Sequence, residues 1–224
     1  MRPVACSRTD SGVHALGQLA QLDIPRDLPV NKVAKALNTY LPHDIRIISA
    51  KKVEDDFQIH RRVREKEYAY FVVVDDVRPF YQGRATGVRG PLDVAAMKKA
   101  LSTLVGTHDF KSFQAQKCSR ESTVCTLHEA SVKRVRPWYG MKGELYKFTF
   151  RGNAFLRHMI RNIMGMIIEI GMGYRPASDS KRIIAAKDRK AAGRCAPPDG
   201  LYLVSIVLSS CVERKRPQPY GGAR

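Results

Sequence analysis

Near the start of the chain, Asp10 stands between Arg8 and Gly12 in the stretch Ser7-Arg8-Thr9-Asp10-Ser11-Gly12-Val13-His14. A carboxylate shown on a rigid loop beside a cation is a candidate catalytic group, a nucleophile among the possibilities. Asp also caps turns through the neighbouring backbone, and the residues alone leave both readings open. A second group lies far down the chain. Between Phe155 and Met172, Ile160, Ile163, Met164, Ile167 and Ile168 mark a broad apolar helix face, interrupted by Arg157, His158 and Arg161. On such a helix Arg157 and Arg161 are one turn apart and share a face. An arginine on a buried side needs a partner, and any carboxylate would serve. Tyr68 and Tyr70 fall on one face of a strand running to Val74, where core or sheet-surface packing is the commonest fate of a tyrosine.

The elements that must position these groups follow from periodicity. Val4-Ala5-Cys6 leads into the Asp10 loop, and Leu19 to Leu22 leaves it with weak strand-like alternation. Gly12 lets that loop take a positive φ and another backbone come close. The spacing predicts a helix over Val30 to Leu41, stopped by Pro42, then a strand over Asp44 to Val53. A basic run from His60 to Lys66, with Arg61, Arg62 and Arg64, is either a solvated face or a phosphate contact. Asp93 should cap a helix reaching Val105 and closed by Gly106. Phe110 and Phe113 read as core plugs. Gln114 to Thr126, with Lys117 and Arg120, reads as a polar loop. Leu127 to Val135 and Leu145 to Arg151 form a hairpin around an exposed Trp138. Ser178 opens a short helix to Ala186, and Leu201 to Leu208 is a final strand. This order predicts an α+β fold whose mainly antiparallel sheet is flanked by helices.

Composition narrows the partners. The chain has 224 residues, 39 Lys plus Arg against 21 Asp plus Glu, and a net charge of +18. Such a field attracts polyanions, nucleic acid first. No apolar run is long enough to span a bilayer, and no signal-peptide core opens the chain, so a cytoplasmic protein without membrane contact is expected. The five cysteines are scattered, lack zinc spacing and read as free thiols.

Arg8-Thr9-Asp10-Ser11-Gly12-Val13-His14-Ala15 resembles the signature of the TruA family of tRNA pseudouridine synthases. Small residues, Ser7 and Ser11, stand where that pattern usually has Gly and Ala. Asp56-Phe57, Tyr68-Ala69-Tyr70, Asp109 to Phe113, Phe155 to Gly165 and Gly200 to Leu203 are similar to further family segments, in the family's order. Gln58-Ile59-His60 departs from the usual His-Ala-Arg, though Arg61 could supply a nearby charge.

The resemblance implies isomerisation of uridine to pseudouridine in the anticodon stem-loop of tRNA, without cofactor or metal. It makes Asp10 the nucleophile and Arg161 the cation that holds it ionised. Tyr68 would stack on the uracil, Leu203 would wall the pocket, and Arg8, Arg61 and Arg120 would contact the substrate. It implies a homodimer of two-lobed chains with a basic cleft. Residues 1–57 would be a truncated remnant of the first lobe, lacking its first strand and helix. Residues 58–211 would form the second lobe, and 212–224 a basic disordered tail. Two alternatives belong to other classes: an inactive RNA-binding fragment, or a nucleic-acid glycosylase using Asp10.

Overall fold

The computed structural model describes residues 3–24, 28–75, 79–115 and 122–209. Lys117, Arg120, Cys118, Cys211 and the tail lie outside them. The chain opens with three two-residue strands, β1 (Val4–Ala5), β2 (His14–Ala15) and β3 (Ala20–Gln21). β1 and β3 pair antiparallel, so the first described strand has its neighbour in the chain that follows. Helix α1 spans Val30–Asn38 and buries no residue completely.

The strand expected over Asp44 to Val53 is absent. No sheet edge reaches it. Instead the Asn38 side chain accepts from Ile47 N at 2.7 Å and donates to Ile47 O at 2.9 Å, satisfying both backbone groups as a neighbouring strand would.

A single turn, α2 (Ile59–Arg62), runs into β4 (Val63–Val74), which begins five residues before the aromatic stretch that signals it. β4 is the middle of the main sheet. It pairs antiparallel with β8 (Glu144–Gly152) on one side and β9 (Leu201–Leu208) on the other. Where β9 stops at Tyr70, β5 (Thr86–Val88) takes over beside Val72 to Val74. Beyond β8 come β7 (Val124–Val135) and β6 (Gly106–Asp109), and β2 joins the far edge parallel to β9. The sheet is mixed but mainly antiparallel.

Period-two alternation splits β4 between two apolar layers. Tyr68, Tyr70, Val72 and Val74 face the main core with Phe148, Phe150, Phe110, Phe113 and α4. Val73 faces a smaller cluster with Tyr81, Ala85 and Leu145, joined by Phe71 and Trp138. Trp138 is therefore half-buried rather than exposed, its ring stacked 5.4 Å from Tyr81; the exposed aromatic of that turn is Tyr139. Helices α3 (Val94–Ser102), α4 (Met159–Gly171) and α5 (Asp179–Ala186) cover the main core. Asp93 accepts from Ala96 N at 2.8 Å and caps α3 as read, but that helix ends at Ser102, and Gly106 opens β6.

α4 starts at Met159, not Phe155. His158 takes a left-handed conformation, φ 60°, which stops the helix from extending backwards. Arg157 consequently lies outside the helix and shares no face with Arg161. Its carbonyl instead accepts from Ala115 N at 2.9 Å.

A candidate active site around Asp10

The loop between β1 and β2 is shaped by local bonds. Val13 N donates to Asp10 O at 3.1 Å, closing a turn. Gly12 has φ +80°, and a Cβ there would lie 2.9 Å from Pro198 Cγ, so a side chain would be both strained and crowded. Gln18 clamps the start of the loop: its carbonyl oxygen accepts from Ser7 N at 3.2 Å and its amide donates to Ser7 O at 2.6 Å.

Asp10 Oδ2 meets two groups from the start of α4. Arg161 Nη1 donates to it at 3.2 Å, and His158 Nε2 lies 3.1 Å away. The expected contact between Asp10 and Arg161 is thus present. The Arg161 side chain is 15% exposed and that of Asp10 31%, so water reaches the carboxylate while the guanidinium sits deeper. Arg161 Nε also donates to Ala196 O at 2.9 Å, and Ala196 N donates back to Arg161 O. This two-way tie fixes the guanidinium on the loop between α5 and β9. The same loop explains Gly165: a Cβ there would sit 1.8 Å from Arg194 O. The missing side chain makes room for that loop backbone.

His158 is the residue that sequence reasoning left without a role. Its left-handed backbone is uncommon for a non-glycine residue, though His is among the residues that tolerate it best. That turn puts the ring at the head of α4 beside Asp10. Burial pushes its pKa below the usual histidine value, with Asp10 pulling the other way and Arg161 and Arg157 adding to the depression. At neutral pH the imidazole is therefore neutral. The available signal was the spacing His158-Met159-Ile160-Arg161, which sets both side chains at the first turn of one helix.

Both partners use Oδ2. Among the described residues no hydrogen bond or ion pair falls on Oδ1, so one carboxylate oxygen is anchored and the other is not.

Tyr68 is 7% exposed, and its hydroxyl shares a hydrogen bond with Ser7 Oγ at 2.9 Å. Lys66 donates to the same Ser7 oxygen at 3.2 Å. Burial raises the phenol pKa, so Tyr68 stays protonated through neutral pH. Phe155 approaches the Tyr68 ring edge-on, with centroids 5.0 Å apart. Leu203 is completely buried. It stands opposite Tyr68 on one side and Ala15 on the other, and its carbonyl accepts from Leu16 N at 2.8 Å. Ser7 and Phe155 are further members of the site that their residue types did not single out. Arg8 is exposed beside Asp10, and Arg61 is exposed on α2. Arg120 falls outside the described residues.

Among the described residues, burial raises the thiol pKa of Cys6 and of Cys195, so both stay protonated at neutral pH. Among the described residues no group of three His, Cys, Asp or Glu side chains could hold a metal ion. No described helix is long and apolar enough to cross a membrane.

A family profile described as tRNA pseudouridine synthase matches residues 100–207. The chain is similar to proteins named tRNA pseudouridine synthase A from several bacteria. It is 39% identical to that of Myxococcus xanthus over 203 residues, covering 90% of this chain and 74% of the relative. The relative from Halalkalibacterium halodurans is 41% identical over 202 residues, with 90% and 74% covered. That of Limosilactobacillus reuteri is 40% identical over 204 residues, with 91% and 78% covered. With relatives near 40% identity matched over about nine-tenths of its length, the chain belongs to the TruA family of tRNA pseudouridine synthases.

Proposed function

We propose that this chain isomerises uridine to pseudouridine in the anticodon stem-loop of tRNA, with Asp10 as nucleophile. One observation carries the assignment of the nucleophile: Arg161 and His158 both hold Oδ2 and leave Oδ1 open. Arg161 favours the ionised carboxylate and aims it. Oδ1 attacks the nucleoside to form a covalent adduct, the glycosidic C–N bond breaks, the uracil turns, a C–C bond forms between its carbon 5 and the ribose, and the bond to Oδ1 breaks to return the free carboxylate. A proton lost from that carbon is matched by one gained at the freed ring nitrogen. The reaction therefore needs no oxidant, reductant or group donor.

The protonated Tyr68 lies against the base, its hydroxyl able to pass a proton and its ring, together with Phe155, able to pack on the uracil. Leu203 backs that wall. Arg8, Arg61 and Arg120 contact the RNA, drawn by the +18 charge of the chain. Residues 1–57 and 58–211 act as two lobes lining a basic cleft, in a homodimer working in the cytoplasm. The family membership and the charge support this reading.

The test is to incubate the protein with unmodified tRNA transcripts and map pseudouridine. Wild-type should convert uridines on the 3′ side of the anticodon stem-loop. Asp10→Asn should lower turnover at least about a thousandfold while retaining tRNA binding. Release of free uracil would make the protein a glycosylase instead, and an active Asp10→Asn would sink the assignment of the nucleophile.

A further inference from the structure

His158 belongs to two places at once. Besides contacting Asp10 it lines a cavity of about 430 Å³ with Ala115, Arg157, Arg189, Lys190 and Gly193. No carboxylate is among these residues. Arg189 is half-buried and rigidly held: Nη1 donates to Gly193 O at 2.8 Å and Nη2 to Asn162 Oδ1 at 2.8 Å. Asn162 is itself buried in α4 and donates to Phe113 O at 2.7 Å. These acceptors are neutral, so they order the guanidinium without cancelling its charge. Three acids lie nearby, of which Asp10 is across His158 and paired with Arg161. Asp188 accepts from Lys190 N at 2.9 Å, and Glu169, which approaches Gly193, is paired with Arg175. Among the described residues Arg157, Arg189 and Lys190 form no ion pair with a carboxylate.

We propose that this cavity holds a phosphodiester group of the RNA strand, next to the nucleotide that reaches Asp10. The inference rests on the proposed RNA substrate. A concave site with three uncompensated cations and no acid selects an anion. A guanidinium ordered in advance gives up little conformational freedom on binding, and its planar fork suits phosphate oxygens. His158 separates the cavity from Asp10 by one side chain, so a strand gripped here presents its neighbouring nucleotide to the open Oδ1.

The test compares two double variants for binding of an unmodified tRNA transcript across a salt series. Arg157→Gln/Lys190→Gln removes two exposed charges from the cavity, and Lys98→Gln/Lys99→Gln removes two exposed charges from α3. Both should melt like wild-type. The cavity variant should bind on the order of tenfold more weakly at physiological salt, with the slope of log affinity against log salt reduced by about 1–2. The α3 variant should lose much less of both. Equal losses would show that only the overall field matters and would overturn the proposal. A parallel series replaces chloride by inorganic phosphate at matched ionic strength. Displacement of the transcript by phosphate from wild-type but not from the cavity variant is expected, because the two then compete for the cavity; equal displacement from both would place the anion elsewhere and would also overturn the proposal. Pseudouridine formation is read separately. A wild-type that binds through the cavity yet forms no pseudouridine would end the catalytic reading and leave the subsite standing. An active wild-type whose cavity variant binds like the α3 variant would do the reverse.

Discussion

Residues 3–58 and residues 59–209 are held by different forces. Among the described residues of the first region only Cys6 and Ser7 are buried, while Leu16, Tyr40, Ile45 and Ile48 are at least half exposed. The second region contains both apolar clusters and an α4 with ten buried residues. Yet Asp10, the proposed nucleophile, belongs to the first region. Its loop is fixed by a few directed polar ties: Gln18 on Ser7, Arg161 and His158 on Asp10, and β2 on β9. The second region supplies stability through contact area, and the first supplies chemistry through geometry. Damage to one should be separable from damage to the other.

The largest effect should come from the packed region. Gly165→Ala forces a Cβ onto Arg194 O, where helix and loop backbones already touch. Urea unfolding should show a loss of about 3 kcal/mol or more. A loss below about 1 kcal/mol would mean that the loop yields freely, and the second region would not be the rigid half.

Arg161→Met crosses between the regions. It leaves Asp10 unpaired, but the carboxylate is 31% exposed, so water takes up part of the charge. The expected stability loss is about 1–2 kcal/mol, below that of a fully enclosed pair, with a large fall in turnover. In a double-mutant cycle most of that loss should vanish beside Asp10→Asn. Strict additivity would show that the two residues are not coupled.

His158→Gly should change stability less, because relief of the left-handed strain offsets the lost contact. Its mark should be in pH dependence. The folded pKa of His158 is depressed, so near and below the ordinary value of about 6.5 the unfolded chain takes up the proton more readily. Wild-type stability is complete above that value and declines as pH falls through it. This decline should flatten in His158→Gly, and turnover should fall about tenfold as Asp10 loses its second anchor. An unchanged stability–pH curve would remove His158 from the site.

The smallest effect should come from Ile48→Ser. Ile48 is 83% exposed, and a change within about 0.5 kcal/mol is expected in thermal melts, with turnover intact. A loss of several times that size would show hidden packing in the first region and break the contrast.

Legibility in the sequence follows the same division. The final strand, Leu201–Leu208, and the Asp93 cap were readable because local pattern decides them. Phe110 and Phe113 could be placed in the core because large aromatics have few other fates. The Asp10–Arg161 contact came through resemblance, since nothing local in either stretch names its partner. Residues 44–53 were misread because alternation signals strand but says nothing of a free edge to pair with, and the Asn38 side chain took that place. Arg157 was misplaced because apolar periodicity runs on through His158, whose left-handed turn ends the helix. The same turn gives His158 its contact, so one backbone choice hid two features of the site.

The pairing of β2 with β9 also sets a timetable. Among the described strands, β2 has only β9 beside it in the main sheet, and β9 is the last of them in chain order. Arg161 and the Ala196 loop that braces it also come late. The Asp10 loop is therefore made well before the groups that hold it, and a chain that ends before Arg161 lacks the cation that meets Asp10. Competence arrives in one step, when the C-terminal strand closes along the sheet edge, and chains stalled before Leu201 should be folded in part yet catalytically silent.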